Sequence, residues 1–355
     1  MNILELAGFH SNYGSNFVPS IENLGNNLCK KGHKVFYIFS NKNLSEKFLE
    51  WEVPFSKRYP TTLLNFSSPS FVRQTVSFIK RNNIKVVHAH FCSSFYLSMI
   101  KRRCPKDVLF LEHIHSCPYN NKKTFRAFLK RVRNFVFLEK DIVKVCVSNG
   151  MMPMVKYTFP GQNVICCVNA VDFSRLSKSS RNNCDGFDLL LLGHNYYVKG
   201  VDIAIKAVLA AKKYIKEIRL DIIMGDNFEA NKKKIIREFG GVPDCVRILE
   251  PTHDICPVYM SHSVSLNASR SEGRSYAVVE SYYCGSLCIL SDIPGNVELG
   301  LPNVIYFSMG DEKDLARAIL QAYKVKDSYS NNVDEVEKNL SIENWSCEII
   351  HLMGL

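Results

Sequence analysis

Two carboxylates stand eight positions apart in the segment Ser269-Arg270-Ser271-Glu272-Gly273-Arg274-Ser275-Tyr276-Ala277-Val278-Val279-Glu280. The preceding Val264-Ser265-Leu266-Asn267 reads as a strand, Gly273 permits a tight reversal, and Ser275 is a good N-cap for a helix running to Tyr283. That order puts Glu272 on a loop and Glu280 in the second helical turn, at the carboxyl edge of a sheet. A carboxylate accepts two hydroxyl donors at once, and the backbone N–H groups near Ser275 and Tyr276 lie where an anion docks on a helix start. The residue types suit a ligand that carries both hydroxyls and negative charge.

A second strand-loop-helix passage points the same way. Gly193-His194-Asn195-Tyr196-Tyr197-Val198-Lys199-Gly200-Val201-Asp202 follows the run Leu189–Leu192 and precedes the amphipathic Ile203–Ala211. Lys199 would project from that loop beside a helix start, where an ammonium neutralises a diphosphate and assists its departure. Four histidines form two i, i+2 pairs, His88-Ala89-His90 and His113-Ile114-His115, each at the end of an apolar strand. Alternation sends both members of a pair to one face, but no third and fourth ligand stands at zinc-like spacing, so no metal is expected. Gly14, in Ser11-Asn12-Tyr13-Gly14-Ser15-Asn16, sits between the first strand and its helix; it is not part of a G-x-G-x-x-G dinucleotide fingerprint.

The elements that must position these residues alternate regularly. Strand-like runs fall at Ile3–Leu6, Lys34–Phe39, Val86–Ala89, Val108–Leu111 and Val143–Val147, and again at Leu189–Leu192, Arg219–Met224, Cys245–Leu249, Val264–Asn267, Cys288–Ser291 and Val304–Phe307. Helical patterns lie between them, as in Val18–Lys31, whose stripe Ile21, Leu24 and Leu28 stops at Gly32. This is the pattern of βαβ units and parallel sheets. At 355 residues with 46% hydrophobic content the chain supports two such domains. The polar Asn331-Asn332-Val333-Asp334-Glu335 reads as an exposed turn, and the amphipathic Ile342–Ile350 is a tail helix with Trp345 as its anchor.

The net charge of +11 conceals an asymmetry. Residues 1–172 carry 24 Lys and Arg against 10 Asp and Glu, whereas residues 173–355 carry 21 against 24. Within the basic half, Lys122-Lys123-Thr124-Phe125-Arg126-Ala127-Phe128-Leu129-Lys130-Arg131-Val132-Arg133 interleaves cations with apolar residues at helical spacing. The apolar stripe either packs on its own domain or rests on an anionic lipid surface. No recognised nucleic-acid motif accompanies the charge, so no nucleic-acid partner is expected. Apolar runs stay short of the roughly 18 residues of a spanning helix, and the start Ile3-Leu4-Glu5-Leu6 reads as a strand rather than a leader. The expectation is a cytoplasmic protein, peripheral at the inner membrane face if the basic helix meets lipid. The 13 cysteines are scattered without a C-x-x-C pair and are expected to be reduced thiols.

The passage from Glu272 to Glu280 resembles the donor-binding signature of retaining glycosyltransferases of family 4, whose usual form is Glu-Gly-Phe-Gly followed by a second Glu at this spacing. Arg274 and Ser275 replace Phe and Gly. Gly193-His194 and Lys199-Gly200 resemble the family's Gly-Arg and Lys-Gly, with His194 in place of Arg. Asn169-Ala170-Val171-Asp172 resembles the Asn-Gly-Val-Asp at the family's interdomain hinge. The resemblance implies the GT-B architecture, an α/β fold of two Rossmann-like domains with parallel sheets facing an interdomain cleft: 1–168 for the acceptor, 169–335 for the nucleotide sugar, and 336–355 as a helix packing back on the first domain.

It also implies roles. Glu272, His113 and Lys199 are the catalytic candidates, with His115 the alternative to His113. Gly14, His194, Lys199, Gly273, Ser275, Tyr276 and Glu280 are the candidates for holding the donor, Glu280 through the ribose hydroxyls. The implied partners are a nucleotide-diphosphate sugar and a glycan or lipid-linked oligosaccharide acceptor, as in capsule and cell-wall polysaccharide assembly. The implied chemistry is transfer with retained anomeric configuration and no metal or other cofactor; no Asp-x-Asp occurs in the chain. The alternatives are a sugar-nucleotide epimerase on the same architecture and a noncatalytic binding subunit.

Overall fold

The apolar runs assemble into two parallel sheets, seen in a computed structural model that describes residues 1–9, 16–41, 52–116, 124–177, 186–225, 228–252 and 254–355. In the first unit the strands are β1 (Asn2–Ala7), β2 (Lys34–Ser40), β3 (Thr61–Leu64), β4 (Ile84–His90), β5 (Leu109–Ile114), β6 (Ile142–Cys146) and β7 (Val164–Cys166). The second unit has β8 (Phe187–Leu192), β9 (Ile218–Ile223), β10 (Val246–Leu249), β11 (Val264–Asn267), β12 (Leu287–Ser291) and β13 (Ile305–Phe307). The sheet orders are β3-β2-β1-β4-β5-β6-β7 and β10-β9-β8-β11-β12-β13. In each, the strand order reverses beside the first strand, between β1 and β4 and between β8 and β11. Loops at the carboxyl ends of such a switch point diverge and leave room for a ligand.

Helices cover both faces of each sheet, so the strands read as continuous apolar runs rather than alternating ones. All five residues of β12 are buried. The first unit comprises Met1–Ala170 and Leu340–Leu355, and the second Val171–Asn339. The chain leaves the first unit at Asn169-Ala170 and returns through the helix Ile342–Leu352, where Trp345, Ile349 and Ile350 join the core formed by Ile3, Val35, Tyr37 and Leu24.

Three local features go beyond the sequence reading or change it. β3 and β7 are additional strands: Thr61–Leu64 is half-buried at a sheet edge, and Val164–Cys166 has only three residues, too few for a periodic signal. Asn331–Glu335 is not a free turn. Asn331 donates through its amide to the Tyr282 and Ser286 carbonyls, the Tyr282 hydroxyl accepts from the Asn332 N–H, and a helix begins at Val333. The helix Phe125–Phe137 turns its apolar stripe outward, burying only Ala127 and Asn134 while Phe125, Phe128, Leu129, Val132, Phe135 and Val136 stay exposed.

Candidate active site

In the second unit, the loop after β8 and the loop after β11 meet. Gly200 has φ +64°, a left-handed conformation, and a Cβ there would lie 2.0 Å from the Ala268 carbonyl oxygen. Only glycine lets the Lys199 loop approach the end of β11 so closely. Arg270 fastens the two loops: its backbone N–H donates to the Val198 carbonyl at 2.8 Å, and its guanidinium donates to the Tyr197 carbonyl at 2.6 Å. The same guanidinium pairs in bidentate fashion with Asp202 at 2.9 and 2.6 Å. That pairing holds the Asp202 carboxyl below its ordinary value despite partial burial.

The result brings Lys199 and Glu272 together. The Lys199 ammonium donates to Glu272 Oε1 at 2.5 Å, and the Ser269 hydroxyl donates to the same oxygen at 2.7 Å. Beneath the loop runs a buried polar web. Asn267 donates to the Ser275 hydroxyl at 3.1 Å, Asn296 donates to Asn267 Oδ1 at 3.2 Å and to the Ser291 carbonyl at 3.0 Å, and Ser291 donates to the Ser269 carbonyl at 2.7 Å. Gly295 completes the fit, since a Cβ there would lie 2.7 Å from the Glu272 carbonyl oxygen.

Ser275 occupies the N-cap of the helix Tyr276–Tyr283 with φ −86°, so replacing a glycine there introduces no left-handed strain. Its side chain does not cap the helix but faces Asn267. Glu280 lies in the second turn as the spacing predicts, buried, with its carboxylate engaged by Arg175 and by the Tyr259 hydroxyl, which donates at 3.0 Å. Burial beside this carboxylate pushes the Tyr259 phenol well above its ordinary value, so it remains a donor. Sequence reasoning missed Arg175 and Tyr259: they lie 105 and 21 residues from Glu280 and belong to no local motif. It also assigned Arg270 and Asp202 no role, although both sit inside the quoted motifs. His194 is exposed on its loop, with its carbonyl accepting from Asn231 at 3.3 Å. Gly273 and Tyr276 are half-buried beside Glu272 and Ser275. A cavity of about 680 Å³ bordered by Asp188, Lys212, Arg219 and Asp244 lies by the amino ends of β8 and β9, away from these loops. Its charged walls already pair, Arg219 with Asp188 and Lys212 with Asp244.

In the first unit, the register of β1, β4 and β5 gathers both histidine pairs. Glu5 pairs with His88, and His90 with His113. Alternation then sends Glu5, His88, His90, His113 and His115 to one face. One ring nitrogen from each of His88, His90 and His113 lies within 4.8 Å of the others, a grouping that could hold a metal ion and that chain spacing did not disclose. Burial, with lesser contributions from the neighbouring rings, pushes His113 well below the ordinary histidine value and His115 down to about 3. Both are neutral near pH 7. Between the two, His113 is the one with a buried ring nitrogen, Nε2, that no protein group satisfies. Glu112, on the opposite face, pairs with the fully buried Lys144 and accepts from Ser94 at 2.5 Å. Gly14 lies outside the described residues.

Both units match family models of known proteins. Residues 186–324 match the model for glycosyl transferases group 1, and residues 19–175 match that for glycosyltransferase family 4. The A subunit of the phosphatidylinositol N-acetylglucosaminyltransferase of Arabidopsis thaliana is 23% identical over 327 residues, covering 84% of this chain and 69% of that protein. An uncharacterized glycosyltransferase of Haemophilus influenzae is 21% identical, covering 90% and 84%. Among solved structures, sucrose-phosphate synthase from Thermosynechococcus elongatus superposes with a TM-score of 0.78 at 13% identity, covering 99% of this chain and 98% of that one. Anabaena HepE in complex with UDP and glucose superposes with a TM-score of 0.76 at 14% identity, covering 100% and 99%. With both sheets matched in family and in topology, this chain is a glycosyltransferase of the GT-B fold.

Proposed function

We propose that the protein moves a sugar from a nucleotide-diphosphate sugar to a glycan or lipid-linked acceptor, with retention of anomeric configuration and without a metal ion. The observation that carries this reading is the Lys199–Glu272 pair at the mouth of the helix Tyr276–Tyr283. On donor binding, the diphosphate takes Glu272's place beside the Lys199 ammonium. The helix start supplies further positive potential. Glu272, released from the lysine, accepts hydroxyls of the transferred sugar, and Glu280 accepts those of the ribose. The sugar–phosphate bond breaks as the acceptor oxygen approaches the same face, and the departing phosphate oxygen takes the acceptor proton. Lys199 stabilises the charge that develops on the leaving group, the kind of electrostatic contribution that dominates where no covalent intermediate forms.

The donor class is supported by the HepE structures, which hold UDP and UDP-glucose. His113 is the residue proposed to meet the reacting sugar. For the acceptor side, the outward apolar face of the helix Phe125–Phe137, flanked by Arg126 and Arg133, suits peripheral contact with an anionic membrane carrying a lipid-linked acceptor.

The test is a thermal-shift screen of UDP, GDP, ADP and their sugars, followed by NMR of the product anomer. Glu272→Ala is expected to keep nucleotide stabilisation and lose transfer. Lys199→Ala is expected to lower kcat by about 100- to 1,000-fold, the scale of removing one donor from a developing anion. Transfer by Glu272→Ala at the parental rate, or a product of inverted configuration, would sink the reading.

A further inference from the structure

The strand β4 ends at His90, and the next residue, Phe91, has φ +53°. Among the described residues the other non-glycine positions with positive φ are Asn83 and Asn303. Asparagine tolerates the left-handed region, whereas a bulky aromatic is strained there. The neighbouring chain holds the turn in place. The Gly8 N–H donates to the His90 carbonyl at 2.8 Å, and the Cys92 thiol lies within hydrogen-bonding reach of the Leu6 and His90 carbonyls, at 3.5 and 3.3 Å. A Cβ on Gly8 would lie 2.3 Å from the Phe91 carbonyl oxygen, so only glycine lets the end of β1 lie against this residue. Strain that the surroundings hold from several sides marks a position where the direction of the side chain matters.

That side chain is not spent on the core, since Phe91 is 46% exposed. One face of its ring stacks on the His115 ring, with centroids 4.1 Å and planes 16° apart, and Phe17 meets it edge-on at 5.2 Å. The neighbours fix the plane of the ring and leave nearly half of the residue in water. This flat apolar surface stands at the carboxyl ends of β1 and β4, where the strand order reverses and ligands of such sheets bind. Two residues on, Ser93 is exposed and its side chain does not cap the helix Ser94–Lys101 that it precedes. An aromatic face with a hydroxyl close by in the chain suits a pyranose, whose C–H groups line one face and whose hydroxyls project from the rim. An alkyl chain would leave the hydroxyl unmatched.

We propose that Phe91 is a platform on which a sugar ring of the acceptor stacks. The proposal rests on the reading of the protein as an enzyme that transfers sugar to a carbohydrate-bearing acceptor, with the first unit holding that acceptor. The test uses the full chain with ring-¹³C-labelled phenylalanine, the Phe91 signal being assigned by its loss in Phe91→Trp. The probes are the methyl glycosides of glucose, galactose, mannose and N-acetylglucosamine, and n-octanol as an alkyl chain without a sugar. The expected result is a shift of the Phe91 signal, with ring-to-sugar Overhauser contacts, for at least one methyl glycoside. Silence toward all four glycosides, or a response to n-octanol alone, overturns the proposal, and both are read from the parent protein. For the glycoside that responds, Phe91→Asn and Phe91→Leu are each expected to raise Kd about 10-fold, the scale of one lost aromatic contact. Phe91→Trp is expected to keep the parental Kd, and thermal stabilisation by UDP, GDP and ADP is expected to be unchanged in all three. Asparagine accepts the left-handed backbone and leucine keeps the apolar volume, so loss in both isolates the flat ring from the turn and from bulk. A parental Kd in both variants overturns the proposal. A parent protein that stacks a glycoside on Phe91 yet transfers sugar to no acceptor overturns instead the reading on which the proposal rests.

Discussion

At the scale of single residues, the site is built from charges that satisfy one another until a ligand competes. Lys199 and Glu272 neutralise each other, and Glu280 is held by Arg175 and Tyr259. His113 and His115 follow the opposite strategy: burial pushes both below the ordinary histidine value and keeps them neutral near pH 7. This has a consequence for stability. A histidine whose value in the folded state lies below its ordinary 6.5 leaves the unfolded chain binding the proton first. Stability is then complete above the ordinary value and declines as pH falls from 6.5 toward the folded-state value, about 3 for His115. Each ring contributes a loss of about 1.4 kcal/mol per pH unit within that window. Thermal unfolding followed from about pH 7 to about pH 5 is expected to show a falling midpoint, with a shallower fall in His115→Asn. A flat profile would contradict neutral burial.

At the scale of elements, backbone approach matters more than side-chain identity. Gly32 and Gly200 both have positive φ, at +81° and +64°, but a Cβ on Gly32 meets nothing within 4 Å while one on Gly200 strikes the Ala268 carbonyl. Gly32→Ala is expected to cost about 1–2 kcal/mol from the left-handed backbone alone. Gly200→Ala is expected to cost more and to displace Lys199 from Glu272, so that transfer falls together with the urea midpoint. Equal midpoints for the two variants would show that the close approach is relieved without consequence. The glycine of the Lys-Gly pair was legible in the sequence; the reason for it was not, because Ala268 follows another strand.

At the scale of the whole molecule, the charge asymmetry acquires a location. The helix Phe125–Phe137 buries Ala127 and Asn134 and exposes Phe128, Phe135 and Val136. Among the described residues, no helix is long and apolar enough to cross a membrane. In the proposed function, this amphipathic face is the part that would lie along a bilayer surface. Pelleting with phosphatidylserine vesicles is expected to be strong for the parent protein and weak with neutral vesicles, each cation near the surface contributing about 1 kcal/mol. Phe128→Ser with Phe135→Ser, and separately Arg126→Glu with Arg133→Glu, should each release the protein from the anionic vesicles. These positions are chosen over Arg131, which donates to the Tyr157 carbonyl at 2.7 Å and covers the Tyr157 ring. Unchanged pelleting in both variants would remove the membrane from the proposed function.

The amino-acid sequence alone determined the alternation of strand and helix, the two-domain α/β class, and the placement of Lys199, Glu272 and Glu280 on loops and a helix start, because each depends on residues within one turn or one strand. Tertiary structure alone decided what those residues touch. Arg175 reaches Glu280, Arg270 fastens two loops, and Glu5 finds two histidines more than eighty positions away. It also decided which face of the basic helix meets water, since a stripe with the spacing of a buried face is the same stripe when the helix is turned over. Periodicity records which residues lie together on an element; only packing records what lies opposite them.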